Sequence, residues 1–293
     1  MTRSGPVRDP QPLERDSRGI VSPSRFAQAA GLHRFPAPEP LTGLVRQFWV
    51  VRWALPSGVE HTQEVLSHPG ANLSVGSSEA DPDVVEARLY GVTRDVFRRV
   101  LRRRGWTVAA TTWPGGIGAF LDSPAQDCTD RVLRPEDTLG LDESALIEAV
   151  TAPRQDTDRV AGLAAALTTV LERAPAGRVD AAHEVAAVSR LAETDRSLRR
   201  VEQLADAAGV GARTLQRMFR EYAGVSPTWM LRRYRLLDAA ERVRGGEAVN
   251  WADVARELGF SDQAHLVREF HAAIGETPEA YARRQRSVSQ RYT

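Results

Sequence analysis

Arginine and glutamine side chains in one short segment have types and a spacing that suit base reading in DNA. At 100° per residue, Arg213, Gln216, Arg217 and Arg220 fall on one face of a helix, opposite an apolar stripe that includes Leu215. A guanidinium donates two hydrogen bonds to guanine O6 and N7, and a Gln amide pairs with adenine N6 and N7. The segment therefore predicts a helix whose polar face enters a major groove.

An internal repeat surrounds this segment. Residues 204–230 align with residues 254–281, and the small, aromatic and turn residues recur: Ala205 with Ala255, Gly209 with Gly259, Leu215 with Leu266, Phe219 with Phe270, Gly224 with Gly275, and Pro227 with Pro278. Each copy is typical of a short helix, a glycine turn and a longer second helix closed by a glycine. The repeat predicts two helix-turn-helix units, at about 201–222 and 251–274, whose second helices enter the groove.

The second unit has a weaker polar face than the first. Ser261 is predicted to cap its second helix, and Leu266, Phe270 and Ile274 supply the core stripe. Gln263, Ala264, Val267 and Arg268 are placed toward the groove, with His265 and His271 at its margins. We expect the first unit to contribute more of the base specificity and the second more of the positioning on DNA. The predicted base contacts are Arg213, Gln216, Arg217, Gln263, Val267 and Arg268.

A continuous helical pattern joins the two units. It starts at Pro227 after Ser226, and 18 residues at 1.5 Å each span roughly 27 Å. Two recognition helices at its ends could therefore reach adjacent major grooves, which lie about 34 Å apart on one face of DNA. We expect contacts to phosphates, or at the margin of the interface, from Arg220, Arg232, Arg233, Arg235 and His265.

The elements that position these residues divide the chain into five parts. Residues 1–35 are polar and lack apolar periodicity, which predicts a flexible tail, and 36–152 show short alternating runs typical of a mainly β domain of barrel or sandwich type. Residues 153–195 predict a helical connector, 196–286 the all-α domain with both helix-turn-helix units, and 287–293 a tail. The predicted fold class is α+β.

Charge and composition narrow the class of protein. The net charge is +1 over 293 residues. From Arg196 onward 17 Arg face 12 acidic residues, a net of +5, which leaves −4 for the preceding residues. The single cysteine, Cys128, excludes an internal disulfide, and its acidic neighbours argue against a reactive thiolate. Without a signal peptide or an apolar run of 18 residues, the expected location is cytoplasmic, with no membrane partner.

The amino-terminal half offers weak signals for other chemistry. His61, Glu64 and His68 could suggest metal ligands, but side-chain alternation places the two histidines on opposite faces of one continuous strand. PGGIG at 114–118 lacks the spacing of a phosphate-binding loop and reads as a turn. The tryptophans at 49, 53, 106 and 113 could line an apolar pocket, although core packing is the more common use. We predict no catalytic residue, no metal and no cofactor.

With both units in view, residues 196 to about 286 resemble the DNA-binding domain of the AraC/XylS family of transcription regulators. The most specific piece is VARELGFSDQAHLVREFHAAIGETPEAYARR, with its GF-x-D turn, Phe270, Gly275 and the closing Thr277, Pro278 and Tyr281. The resemblance implies seven helices in two subdomains and base contacts from Arg213, Gln216, Arg217, Gln263 and Arg268. At position 211 this chain has Gly where the family often has a Ser that caps the helix. Ala264 and Val267 are less polar than the residues usual at these positions in the family.

The amino-terminal half resembles a less characterised group found attached to AraC-type domains, through LVRQFWVVRW, HPGANLSV and the run from Trp113 to Gly140. The wider family implies a cupin-like β domain that senses a small molecule or mediates dimerisation. It also implies double-stranded DNA and RNA polymerase as partners, and an activator or repressor role. Two alternatives stay open: a protein-interaction module that has lost DNA binding, and a metal-dependent β-barrel enzyme fused to a DNA-binding domain.

Overall fold

The computed structural model describes residues 17–244 and 250–289. For residues 17–35 the predicted tail is wrong, because they form helix α1 (Pro23–Ala29) and strand β1 (Ala30–Phe35). Phe26, Leu32 and Phe35 are buried, and burial of such apolar side chains offsets the entropy lost on ordering a short segment. Residues 1–16 and 290–293 of the two predicted tails lie outside the described residues. Residues 287–289 of the second predicted tail form the end of the last helix.

The amino-terminal domain is mainly β, as the sequence predicts. Its other strands are β2 (Val45–Ala54), β3 (Glu60–Val65), β4 (Asn72–Ser77), β5 (Val85–Tyr90), β6 (Phe97–Arg102), β7 (Arg104–Thr112) and β8 (Val132–Leu133). Six strands form one antiparallel sheet in the order β1-β2-β7-β4-β5-β8, and β3 pairs with β6 in a second sheet. The two sheets give the domain a sandwich-like layering.

The two faces of the six-stranded sheet differ because side chains alternate along each strand. Phe48 and Val50 of β2 belong to an apolar core that also contains Leu73 and Val75 of β4. The intervening residues of β2, among them Trp49, turn to the other face, toward the β3–β6 pair. One face of the sheet therefore packs on helices and the other borders an internal space.

Helices begin earlier than the sequence predicts and do more than connect. They are α2 (Pro135–Leu139), α3 (Glu143–Thr151), α4 (Asp156–Arg173) and α5 (Ala176–Thr194). The predicted stripe of α4, including Leu163 and Leu167, is buried in the core of the β domain. By contrast, Val185 and Ala192 of α5 lie in the core of the carboxyl-terminal domain. Ala182 of α5 lies in the core of the β domain, so α4 belongs to the β domain and α5 packs against both domains.

The carboxyl-terminal domain contains the two helix pairs. Its elements are α6 (Val201–Ala207), α7 (Ala212–Met218), a π-helical turn (Phe219–Ala223), α8 (Pro227–Arg244), α9 (Trp251–Glu257), α10 (Gln263–Ile274) and α11 (Pro278–Ser289). Residues 196–286 thus contain six α-helices and the π-helical turn, and the seventh helix that the family resemblance implies is found only if α5, in the predicted connector, is included. The last part of the predicted linker pattern, residues 245–247, lies outside the described residues. None of the described helices is long and apolar enough to cross a membrane.

The first helix pair is docked on the β domain. A Cβ on Gly118, in the 3-10 turn Gly116–Phe120, would come within 2.7 Å of the Tyr222 Cα, so only glycine allows this approach. Arg178 of α5 donates to the carbonyl of Gly118 and pairs with Glu221 at 2.9 Å. The hydroxyl of Thr129 donates to the Gly224 carbonyl at 2.7 Å. These polar bonds and close backbone contacts hold the two domains together.

Candidate nucleic-acid interface

Helix α7 presents its predicted polar face to solvent. Leu215 and Phe219 are fully buried, whereas the four polar side chains opposite them, Arg213, Gln216, Arg217 and Arg220, are exposed. Among the described residues, none of these four side chains makes a hydrogen bond or an ion pair. Their donors are therefore available to an external acceptor.

The second helix of the first unit is not α-helical along its whole length. It is α-helical to Met218 and continues as a π-helical turn, in which the Gly224 N–H donates to the Phe219 carbonyl at 2.9 Å. Gly224 has φ +77°, the left-handed conformation that ends the helix. The wider turn shifts the register after Met218. Tyr222 in this turn packs against the core of the carboxyl-terminal domain and also contacts Gly118 of the β domain.

The cap of α10 differs from the prediction. Asp262, not Ser261, occupies the N-cap position, and its carboxylate accepts a hydrogen bond from the His265 N–H at 2.7 Å. This backbone hydrogen bond lowers the pKa of Asp262. The His265 ring lies 3.1 Å from the Ser261 hydroxyl and packs edge-on against Phe260. His265, predicted at the margin of the interface, is thus tied into the start of α10.

The exposed face of α10 matches the predicted arrangement and is less polar than that of α7. Leu266, Phe270 and Ile274 are buried. The face opposite them has Gln263, Ala264 and Arg268 exposed, His271 exposed at its edge, and Val267 half-buried. Only two long polar side chains of this face, Gln263 and Arg268, extend from the helix.

The arginines of α8 fall into three different environments. Arg232 is exposed, as a phosphate contact requires. Arg233 is 2% exposed, donates to the Arg94 carbonyl and lies over the Trp229 ring at 4.8 Å. Burial lowers the pKa of Arg233 to about 10. The prediction of a phosphate contact at Arg233 is wrong, because consecutive helical positions point about 100° apart and this one faces the β domain.

Arg235 joins the two units rather than reaching outward. It is half-buried, donates to the Gly259 carbonyl at 3.3 Å in the turn of the second unit, and also donates to the Arg199 carbonyl. Arg199 in turn donates to the Glu257 carbonyl at 2.8 Å, at the end of α9. The prediction of a phosphate contact at Arg235 is therefore wrong. Arg235 and Arg199 instead join the start of the first unit to the turn of the second.

Sequence reasoning missed two parts of this surface. Thr214 is exposed on α7, three residues before Arg217 and so on the same side of the helix, a spacing that could have revealed it. The Arg199–Arg235–Gly259 contacts join residues up to 60 positions apart, and no local pattern in the sequence points to them.

The amino-terminal candidates are dispersed. Strand β3 ends at Val65, so His68 lies beyond it, and the predicted continuous strand through His68 is wrong. His61 contacts Gln63, whereas His68 lies 3.3 Å from Glu193 of α5. In the part of the chain that the structure describes, no group of three or more His, Cys, Asp or Glu residues could hold a metal ion. Burial, and then Asp127, raise the pKa of the Cys128 thiol.

Comparisons with known proteins match two separate parts of the chain. Residues 204–284 match the model of a helix-turn-helix domain, and residues 33–134 match a domain of unknown function, DUF6597. The transcriptional activator RhaS of Pectobacterium carotovorum subsp. carotovorum is 32% identical over 77 residues, which are 26% of this chain and 27% of that protein. RhaR of Pectobacterium atrosepticum is 35% identical over 85 residues, 29% of this chain and 30% of that protein.

The chain thus spans less than a third of the length of these relatives. Among solved structures, ToxT from Vibrio cholerae aligns with 80% of this chain and 97% of its own, at 11% identity and a TM-score of 0.41, which is too low to transfer a fold or a ligand. The chain thus contains an AraC-type helix-turn-helix domain at residues 204–284 and a domain of the DUF6597 type at residues 33–134.

Proposed function

We propose that the chain is a sequence-specific DNA-binding transcription regulator of the AraC type. One observation carries this proposal: two similarly built helix pairs, joined by α8, each expose the polar face of their second helix. In α7 this face has Arg213, Gln216 and Arg217, and in α10 it has Gln263 and Arg268, with Val267 able to touch a thymine methyl.

The two units have different shares in this function. The α7 face has two arginines and one glutamine, all exposed, so we assign base reading mainly to the first unit. The α10 face has one glutamine and one arginine, which suits positioning of the protein on the duplex. Arg220 and Arg232 are exposed and are assigned to phosphates, which fix the register of the protein but add no sequence information.

The proposal includes partners beyond the duplex. A regulator of this type acts in the cytoplasm through RNA polymerase, with the amino-terminal domain modulating it in response to a small molecule or a second copy of the chain. Because one chain already has two recognition helices, a homodimer on paired sites would add avidity rather than supply the first contact. We assign the protein no enzymatic activity.

The test starts from the full-length protein and an oligonucleotide site selected from random duplex. Affinity is then measured by fluorescence polarisation between about 50 and 200 mM salt, over which a regulator loses about a hundredfold or more. Little binding at either salt concentration would instead support a protein-interaction module.

Single substitutions test the assigned roles. Arg217→Ala should weaken binding to the selected site about tenfold or more and relax specificity at one base pair. Arg232→Ala should weaken binding to all sequences alike. Arg173→Ala, which removes an exposed arginine of α4, is the matched control and should change neither. Equal losses of specificity for Arg217→Ala and Arg268→Ala would contradict the division between the units.

A further inference from the structure

A cavity of about 200 Å³, partly open to the surface, lies in the β domain. The face of the six-stranded sheet that turns away from α3 and α4 forms one wall, and β3 with β6 forms the opposite wall. The apolar and aromatic surface of the cavity comes from Trp49, Trp53, Phe97 and Leu101. Trp49 and Trp53 thus line a cavity, whereas the sequence favours core packing for both.

The polar lining of this cavity is cationic. The described lining residues include Arg18, Arg34, Arg46 and Arg99, and no aspartate or glutamate. Three arginines and one threonine of this lining have a buried side-chain atom that lacks a hydrogen-bond partner among the described residues: Arg18 Nε, Arg46 Nε, Arg99 Nε and Thr107 Oγ1. An unpaired buried donor costs about 1–3 kcal/mol, so this lining favours a guest that brings oxygen acceptors.

A charged cluster closes the end of the cavity nearest to α5 and α8. Glu193 of α5 lies 3.0 Å from Arg18, 3.4 Å from Arg46 and 3.3 Å from His68. Its side chain is only 8% exposed, so one buried carboxylate serves three partners. Arg46, whose one carboxylate partner is shared, therefore keeps capacity for a second anion, and Arg18 divides its charge between Glu193 and Asp238 of α8.

We propose that this cavity binds a small amphipathic organic anion, with its acidic group between Arg18 and Arg46 and its apolar body along Trp49 and Phe97. Charge-assisted hydrogen bonds to guanidinium groups favour the ionised acid over a neutral analogue of the same shape. The aromatic walls favour a planar or branched hydrocarbon part.

The same arginine connects the cavity to the DNA-binding domain. Arg18 also lies 3.1 Å from Asp238 of α8, which in addition pairs with Arg196. Leu237, the residue before Asp238, lines the cavity itself. An anion bound to Arg18 competes with Glu193 and Asp238 and so alters the contact between the β domain and the helix that joins the two DNA-binding units. This consequence rests on the proposed function, whereas binding in the cavity does not.

The binding test uses 4-phenylbutyrate and its neutral analogue 4-phenylbutanamide, titrated into the full-length protein by isothermal calorimetry. The acid should bind about tenfold or more tightly than the amide. Arg46→Gln should abolish this preference. Arg52→Gln, the same change on the same strand at an exposed position, should preserve it.

A second variant tests the cavity independently of whether Arg46→Gln folds. The Thr107 hydroxyl is buried without a partner, so Thr107→Leu breaks no hydrogen bond yet fills the cavity. It should keep the melting temperature and lose binding of both compounds. The cavity assignment is overturned if the acid shows no saturable binding, if acid and amide bind equally, or if Thr107→Leu binds the acid as the wild type does.

The regulatory consequence is measured separately, by polarisation on the selected duplex with and without the acid. The DNA affinity of the wild type should change about fivefold or more, and that of Arg46→Gln should not. A wild type that binds both acid and DNA with an unchanged DNA affinity overturns the coupling and leaves the cavity assignment standing. A protein that binds the acid but no DNA overturns the proposed function instead.

Discussion

At the scale of single residues, the most constrained group is the buried pair of His68 and Glu193. Burial lowers the pKa of His68 to about 4, despite the opposing hydrogen bond to Glu193. Burial alone would raise the pKa of Glu193, but the hydrogen bond from His68 and the charges of Arg46 and Arg18 hold it at about 2. At neutral pH the folded protein therefore holds a neutral imidazole beside an ionised carboxylate.

This pair predicts an acid-sensitive fold. Both folded-state pKa values lie below the unfolded ones, so the unfolded chain binds more protons and stability falls as the pH drops. The His68 contribution is lost between pH 6.5 and 4 and the Glu193 contribution between 4.5 and 2. Urea denaturation from pH 7.5 to 4.5 should show a slope approaching about 1.4 kcal/mol per pH unit.

Variants of two histidines check the assignment. His68→Gln should flatten the dependence of the unfolding free energy on pH above 4.5. His61→Gln alters a half-buried histidine on β3 that contacts Gln63 and should leave the slope as in the wild type. An unchanged slope in His68→Gln would refute the role given to this residue.

Neighbouring arginines show how strongly tertiary contacts decide a residue's use. Arg232 and Arg233 are adjacent and identical in type, yet one is exposed and the other is buried under the β domain against Trp229 and the Arg94 carbonyl. Local periodicity separates their directions but does not say which direction meets another domain. The prediction that both arginines contact phosphates is therefore wrong for Arg233.

At the scale of elements, the first helix pair depends on two glycines with different demands. Gly209 has φ +66° in the turn between α6 and α7, whereas Gly211 caps α7 in an extended conformation with φ −72°. A Cβ at either position would meet no atom within 4 Å. The two positions differ in backbone conformation and not in available space.

Alanine substitutions therefore make a matched pair. Gly209→Ala should lower the free energy of unfolding by about 1–2 kcal/mol, since a left-handed φ strains an L side chain. Gly211→Ala should change it by less than about 1 kcal/mol, because the restriction of the unfolded chain by alanine opposes the preference for glycine over alanine at an N-cap. Urea denaturation monitored by circular dichroism measures both. Equal effects would show that the turn conformation is not what requires glycine at 209.

At the scale of the whole molecule, the β domain and the first helix pair form one packed unit. Arg178 donates to the carbonyls of Gly118 and Ser123 at 2.8 Å each, pairs with Glu221, and lies over the Tyr222 ring at 5.3 Å. One side chain of α5 thus bonds the β domain and the π-helical turn that ends the recognition helix.

Removal of this side chain should loosen the docking. Arg178→Ala leaves two carbonyls without their donor, so we expect a loss of about 2 kcal/mol of stability. Amide exchange in residues 219–224 should accelerate by about tenfold or more, measured by mass spectrometry. Arg173→Ala, near the end of α4, is the control and should leave exchange in that segment unchanged. Wild-type exchange in Arg178→Ala would contradict an essential docking contact.

The sequence by itself determined the repeated helix pairs, the polar face of α7, the buried stripe of α4 and the β character of the first domain. These features depend on periodicity over fewer than 20 residues, on turn glycines and on side-chain type, all of which are local. The resemblance to the AraC/XylS family rests on the same local motifs and is confirmed by the helix-turn-helix match.

Tertiary structure alone decided which polar residues stay free. The burial of Arg233, the bond from Arg235 to Gly259, the ordering of residues 17–35 and the cavity beside Glu193 all join segments distant in sequence. Free energies of such contacts depend on what each face meets after folding, which no local pattern encodes. The shared use of Arg18 by Glu193 and Asp238, from two helices some 45 residues apart, is of the same kind.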